Sequence, residues 1–247
     1  MDKKLEQTLV FIKPDALKNS LTGYVISQLS QFHTGLIFAG LKVVHVSSIL
    51  AEEHYAEHKG KVFYPSLLEY ISGRLHYPDE PSQQRVIAIV YQGPDAVKKI
   101  RDIAGPTNPH VARDENPGCI RSLGTLVPLK DPDGKEIGER MDNIIHASAT
   151  DSEAEREIKL WFRPEDIPPH MRPYPTKVND VFYYYGDSRL FLSHEPGSRC
   201  FLAPGNTAWK SDIEALSLLS QGKEAPSSLE AVVAKYLINE KQEDDQA

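Results

Sequence analysis

Two short apolar runs, Thr8–Ile12 and Val86–Tyr91, limit the folds open to this chain more than any other segment. Both are dense in β-forming residues, so both read as buried strands. Pro14 ends the first. A third strand is expected over Leu36–Val46. Helical patterns separate them. Val25, Ile26, Leu29 and Phe32 recur at helical spacing within Leu21–Phe32, Ala51–Gly60 reads as a polar helix closed by its glycine, and Pro65–Ile71 tolerates its proline in the first turn. Asp95–Ile103 is helical, with Gly105 and Pro106 as a stop. Ser152–Phe162 follows, with Ser152 and Glu155 at capping-box spacing. Residues 105–121 read as a long loop, and long loops in compact domains are usually functional or disordered. Thr125–Leu129 and Lys135–Ile137 flank the turn sequence Asp131-Pro132-Asp133-Gly134, which predicts a hairpin. This order fits an α/β (α+β) sandwich: one antiparallel sheet covered by helices.

The 247 residues allow one large domain or two small ones, and 40% hydrophobic with 26% charged residues is ordinary for a soluble globular chain. A formal net charge of −7 argues against binding nucleic acid through bulk electrostatics, though a local basic pocket for a triphosphate remains open. Cys119 and Cys200 form no Cys-x-x-Cys pair, which leaves zinc and redox motifs unsupported. The start of the chain lacks the apolar stretch of a signal peptide, and no run is long enough to cross a bilayer, so a cytoplasmic protein without a membrane role is expected. Prolines at 164, 168, 169, 173 and 175 exclude regular helix or central strand and mark a stiff linker or wrapping arm. Beyond it, Asp180–Tyr185 and Arg189–Ser193 are candidate strands. Ser227-Ser228-Leu229-Glu230 reads as a capping box for a helix with Leu229, Val232, Val233, Tyr236 and Leu237 on one face. Lys241–Ala247 is polar and expected to fray. The division drawn is residues 1–163 and an extension, 164–247.

The chemistry gathers in four short segments. Asn143-Ile144-Ile145-His146-Ala147-Ser148 places a histidine just before a strong helix start; the others are Lys13-Pro14-Asp15, Thr107-Asn108-Pro109 and Pro117-Gly118-Cys119-Ile120-Arg121. Each alone has a bland reading: a structural histidine, a surface lysine, a solvated helix face around Arg101. Together, and in this order, they resemble the nucleoside diphosphate kinases from about Thr8 to about Phe162, with insertions around Leu75–Gln84 and around the 131–134 turn. The resemblance implies a ferredoxin-like βαββαβ core and a ping-pong reaction in which His146 takes the γ-phosphoryl of an NTP and returns it to an NDP. It also implies residue roles. Glu157 hydrogen-bonds the ring of His146 and Ser148 supports Glu157. Lys13 contacts phosphate and the ribose 3′-hydroxyl, and Arg101 and Arg121 clamp the phosphates. Thr107 meets the β-phosphate and Asn143 the 3′-hydroxyl, Tyr55 sits near the nucleophile, and Phe63 and Leu67 hold the base. Stacking on Phe63 reads no base edge, so broad nucleotide use follows. Mg²⁺ would arrive on the phosphates, largely hydrated, with no metal site in the protein itself. Relatives are homo-oligomers, which extends that expectation here.

The chain departs from the family pattern in three places. Ala149 stands where an aspartate is usual, Ser122-Leu123 replaces a glycine-aspartate pair, and Glu139-Arg140-Met141-Asp142 occupies the segment that usually lends an apolar side chain to the base pocket. These departures keep a second reading open: a nucleotide-binding regulatory or scaffold protein with weakened catalysis on the same fold. Two further motifs are set aside. His54-Tyr55-Ala56-Glu57-His58 has the His-x-x-Glu-His form of a zinc peptidase helix, but a third ligand is not evident and a solvated helix face is the expectation. Gly60-Lys61, Gly134-Lys135 and Gly222-Lys223 lack the rest of a phosphate-binding glycine loop, so phosphate is expected to be held by side chains.

Overall fold

The strand nearest the start of the chain is also the most enclosed. β1 (Leu5–Ile12) lies inside a four-stranded antiparallel sheet, and its residues from Leu9 to Ile12 are fully buried. The computed structural model describes residues 5–237. After β1 come α1 (Pro14–Lys18), α2 (Thr22–Gln28), α3 (Gln31–Thr34), β2 (Ile37–Val44), α4 (Ser48–His54), α5 (Tyr64–Ile71) and β3 (Val86–Pro94). Then follow α6 (Ala96–Ala104), α7 (Pro109–Glu115), β4 (Thr125–Lys130), β5 (Glu136–Asp142), β6 (Ile145–Ala147) and α8 (Asp151–Trp161). The sheet order is β2-β3-β1-β6, every pair antiparallel, with Phe11 opposite both Ala88 and His146. Setting aside the β4–β5 hairpin, this is the ferredoxin-like βαββαβ arrangement. Leu9 and Phe11 pack on one face with Leu50, Ile158 and Trp161; Val10 and Ile12 pack on the other with Val25, Ala96 and Ile100. Helices on both faces explain why β1 and β3 read as unbroken apolar runs without a polar alternation.

Several local expectations change. The helix over Leu21–Phe32 divides at Ser30, whose extended backbone starts a new turn, and Phe32 is 93% exposed instead of sharing the buried face of Val25 and Leu29. The helix over Ala51–Gly60 stops at His54 and continues as a short 3₁₀ turn, Ala56–His58; its first turn is capped by Ser47, which accepts from the Leu50 amide. The loop at 105–121 contains α7. Asn108 caps it by accepting from the amides of His110 and Val111, and Pro109 stands in the first turn, a start signal that the surrounding glycines and prolines obscured. The cap of α8 is Thr150, not Ser152: Thr150 accepts from the Glu153 amide, two residues earlier than expected, while the Glu153 carboxylate accepts from the Ala149 amide just before the cap.

The extension folds back on the same chain. Its arm makes two 3₁₀ turns, Pro164–Asp166 and Pro169–Met171, and Asp166 pairs with Lys42 of β2 at 2.7 Å. Beyond lie β7 (Thr176–Val178), β8 (Tyr183–Gly186), β9 (Arg189–Phe191), β10 (Arg199–Leu202), β11 (Thr207–Trp209), α9 (Lys210–Leu219) and α10 (Leu229–Val233). The expected strands at Asp180–Tyr185 and Arg189–Ser193 correspond to β8 and β9. Tyr183, Leu202, Ile213, Leu216 and Val232 make a small core of their own. Trp209 joins the core beneath α8 and donates to the Phe162 carbonyl at 2.8 Å. The α10 cap is Ser228, one residue later than expected, and its hydroxyl also meets Glu53 of α4 at 3.1 Å. The fraying expected at Lys241–Ala247 lies outside the described residues. Cys119 is buried, Cys200 is exposed, and both are free. No helix among the described residues is long and apolar enough to cross a membrane.

Candidate active site

The short strand β6 is held against β1 by a strained turn. Ile144 adopts a left-handed backbone (φ 71°), a rare conformation for a β-branched residue. The carboxylate of Asp15 accepts from the Ile144 amide at 2.9 Å, and the Ile144 carbonyl accepts from the Lys13 amide at 2.9 Å. The Lys-Pro-Asp segment therefore clamps the turn that delivers Asn143 and His146. Asn143 is fixed in turn: its Oδ1 accepts from Lys13 Nζ at 2.7 Å and its Nδ2 donates to the Thr107 carbonyl at 2.8 Å.

A cavity of about 410 Å³ opens beside this turn, and His146, Lys13, Asn143 and Thr107 line it. Arg101 comes from the last turn of α6 and Arg121 from the 3₁₀ turn after α7; both reach the same cavity. Gly105 (φ 80°) ends α6 and turns its carbonyl to Arg121, which donates at 2.9 Å; a Cβ there would stand 2.2 Å from the Cys119 sulfur. Tyr55 supplies a buried hydroxyl that has no hydrogen-bond partner among the described residues. Phe63 and Leu67, at the start and on the first turn of α5, form a shelf farther out. Of the residues expected in the site, Ser148 alone does not line the cavity; it stands behind Glu157.

A buried relay orients the histidine. The Leu9 amide donates to Ser148 Oγ at 3.2 Å, Ser148 donates to Glu157 Oε2 at 2.6 Å, and the same carboxylate oxygen lies 2.9 Å from His146 Nε2. An ionised carboxylate only accepts, so this bond assigns the proton to Nε2 and leaves the Nδ1 lone pair free of Glu157. Burial, then Lys13 and Arg121, hold the His146 pKa well below the usual histidine value, so the ring is neutral at pH 7. Burial raises the Glu157 pKa, while His54 and the Ser148 hydrogen bond oppose that rise. Lys13 is lowered to about 8, by burial first and then by Arg121. Arg121 falls to about 10, by burial and then Arg101, and stays charged at neutral pH.

His54 is the participant that sequence reasoning placed wrongly. It is 3% exposed, not on a solvated face, because α4 turns it inward. Its ring packs edge-on against His146 at 4.7 Å between centroids, while Phe11 stacks on His146 at 5.0 Å. The indole N–H of Trp161 donates to His54 Nδ1 at 3.2 Å, which fixes the neutral tautomer, and burial also lowers the His54 pKa well below its ordinary value. His58 lies beyond the end of α4 and is partly exposed, so the two imidazoles do not share a helix face. One signal was available: Ala51 and His54, at i and i+3, fall on the side of α4 that carries Leu50 inward. Ligand atoms of His54, His146 and Glu157 do lie within 4.8 Å of one another. That set is rich in nitrogen and already hydrogen-bonded, a poor match for Mg²⁺, which demands oxygen ligands.

A neutral, oriented imidazole facing a cavity that also holds Lys13, Arg101 and Arg121 suits phosphoryl transfer through a side-chain nucleophile. The comparisons with known proteins point the same way. Residues 6–167 match the family model for nucleoside diphosphate kinase. The nucleoside diphosphate kinase of Thermococcus kodakarensis is 37% identical over 183 residues, covering 74% of this chain and 88% of that one. Among solved structures, the Aquifex aeolicus nucleoside diphosphate kinase superposes with a TM-score of 0.52 at 28% identity, over 67% of this chain and all of that one. The Halobacterium salinarum enzyme, solved with CDP, gives 0.50 at 31% identity over 67% of this chain and 92% of that one. The chain belongs to the nucleoside diphosphate kinase family.

Proposed function

We propose that this protein is a nucleoside diphosphate kinase that moves the γ-phosphoryl group of an NTP to an NDP through His146. The observation that carries the reading is the Ser148–Glu157–His146 relay, which holds a neutral imidazole in one tautomer at the cavity wall. Nδ1 attacks the γ-phosphorus, a P–N bond forms, and the bond to the β-γ bridging oxygen breaks. The charge that builds on the departing diphosphate falls to Lys13, Arg101 and Arg121, with the Thr107 hydroxyl at the β-phosphate. The positive charge left on the imidazole faces Glu157. The incoming NDP reverses these steps. Asn143 and Lys13 receive the ribose 3′-hydroxyl, Tyr55 offers its unpartnered hydroxyl near the nucleophile, and Phe63 with Leu67 carries the base. Mg²⁺ bound to the nucleotide phosphates would supply further neutralisation beside Lys13, Arg101 and Arg121; among the described residues the potential metal-ligand cluster, His54, His146 and Glu157, is nitrogen-rich and does not suit it.

The catalytic unit is proposed as residues 1–163, with the described part of the extension, 164–237, acting as a brace. The free cysteines suit a cytoplasmic setting. β2 supports self-association: it is a sheet edge, and Ile37, Phe38, Leu41 and Val43 are 43–53% exposed along it. The direct test is to mix the protein with γ-labelled ATP and Mg²⁺, then chase with GDP, beside His146→Asn. Acid-labile label that moves to GTP and is lost in the variant is expected. A folded protein that binds ATP and takes no label would favour the regulatory reading.

A further inference from the structure

A second cleft opens where the extension meets the two helices behind the site. Its volume is about 370 Å³, within the range of small-molecule sites, and it shares no lining residue with the nucleotide cavity. Glu53 lines it from α4, Arg156 and Lys159 from α8, Asp212 from α9 and Lys235 from just past α10.

The acids and the cations of this lining are held differently. Both carboxylates are engaged within the protein: Asp212 accepts from Lys235 at 3.0 Å, and Glu53 accepts from the Ser228 hydroxyl at 3.1 Å. The cations keep spare capacity. Arg156 meets the Glu53 carbonyl at 3.5 Å and Oε1 of Glu157 at 3.8 Å, both long for a guanidinium bond, and its side chain is 47% exposed. Lys159 pairs with Glu155 at 2.6 Å, but the two stand one turn apart on a helix surface, where such a pair is worth little. Lys235 is buried and gives two of its three donors to Asp212 and to the Val232 carbonyl at 2.9 Å. Three cations beside two engaged acids suit an anion. Ser211 and Ser227 add hydroxyls, while Leu160 and Val232 add apolar wall for an organic body.

We propose that this cleft binds a small organic oxyanion, a phosphate ester or a carboxylate, on Arg156, Lys159 and Lys235, and that the ligand tunes the nucleophile through Arg156. The guanidinium stands 3.8 Å from one oxygen of Glu157, whose other oxygen holds His146 Nε2. An anion that takes up Arg156 leaves more of the Glu157 charge to face the imidazole, which favours the positive ring formed on attack. The coupling rests on the nucleotide reading of the cavity in front; the binding does not.

The test is calorimetry on the full-length protein, with ADP and Mg²⁺ saturating the nucleotide cavity. The probes are glycerol 3-phosphate and succinate, with sodium chloride at matched ionic strength as the reference. Saturable binding of one organic anion over the reference is expected, and the one that binds identifies the head group. Arg156→Gln and Lys159→Gln should each weaken it by about tenfold, the scale of one hydrogen bond to a charged group. Ser227→Asp sets a carboxylate in the cleft and should abolish binding; this variant carries the test if an α8 variant does not fold. In single-turnover labelling with saturating γ-labelled ATP, the anion should speed phosphohistidine formation about threefold, the worth of one partly exposed ion pair, and Arg156→Gln should lose that gain. Binding by neither anion, or binding unchanged in both α8 variants, would overturn the site. Binding with no change in rate would overturn the coupling. Binding intact in a protein that never takes label would support the site and count against the nucleotide reading alone.

Discussion

Replacing Glu157 by glutamine removes one charge and almost no volume, so it isolates the electrostatic part of nucleophile support. Glu157 is 1% exposed, and its Oε2 takes both the Ser148 hydroxyl and His146 Nε2. A unit charge forming on the ring at 2.9 Å would interact with the carboxylate by about 6 kcal/mol at an effective dielectric of about 20. With about half of that charge developed in the transition state, the loss is about 3 kcal/mol, or roughly a hundredfold in rate. The glutamine can still accept from Nε2, so the tautomer survives. Burial already works against the carboxylate, which means the fold should be no less stable. The assay is single-turnover quench-flow with γ-labelled ATP and excess protein, with a thermal melt alongside. A rate within threefold of wild type, in a protein with an unchanged melt, would refute the claim that the buried charge supports the imidazole.

Lys13, lowered to about 8, favours its neutral form when folded, so between about pH 8 and the ordinary 10.5 the folded chain holds fewer protons than the unfolded one. Stability then rises with pH through that window while attraction for phosphate declines; Lys13→Met should flatten both trends in melts and nucleotide titrations. His54→Phe strands the Trp161 indole N–H without its acceptor at 3.2 Å, and should cost about 1–3 kcal/mol in urea unfolding; an unchanged midpoint would count against that bond. Lys235→Met leaves Asp212 buried without its partner at 3.0 Å and should destabilise by about 3–5 kcal/mol, whereas adding Asp212→Asn should recover much of the loss. Leu41→Lys on the exposed edge of β2 should lower the mass seen by light scattering; the same mass in both proteins would exclude that edge as the contact.

What the sequence made legible was whatever depends on contiguous residues. The runs at β1 and β3 declare strands because both faces are buried, and Asp131–Gly134 declares a hairpin through its own turn chemistry. The cavity residues came from family order, and the chain's own turns then bring them together. Where a cap or helix start was misplaced the competing signals were local, but His54 and the short strands share another cause, which is a partner remote in sequence. Leu50 and Ala51 hint that His54 turns inward, but nothing near it in the chain reveals that Trp161 and His146 will lie against it. β6 is three residues long and exists because β1 and the Asp15-clamped turn receive it, so no local pattern marks it. In the extension, β7 and β11 are also three residues each and pair across a separation that no short-range signal spans.

The extension gains a physical role from where it touches. Two helices carry the parts that act on the nucleophile: α4 presents His54 and leads to Tyr55, and α8 presents Glu157. Each is short, and each needs its outer side covered to stay in place. α10 docks on α4 with Ser228 at Glu53, and Trp209 packs under the end of α8 with its indole on the Phe162 carbonyl. The arm passes from Phe162 across β2, where Lys42 meets Asp166 beside the Phe162 ring. The described residues beyond 163 thus restrain both helices behind the site without lining the cavity. A support so placed changes how well His146 and Glu157 keep their 2.9 Å contact, not which groups face the phosphate. Loosening it at Trp209 would therefore slow the formation of phosphohistidine while leaving the chemistry and the nucleotide contacts in kind the same.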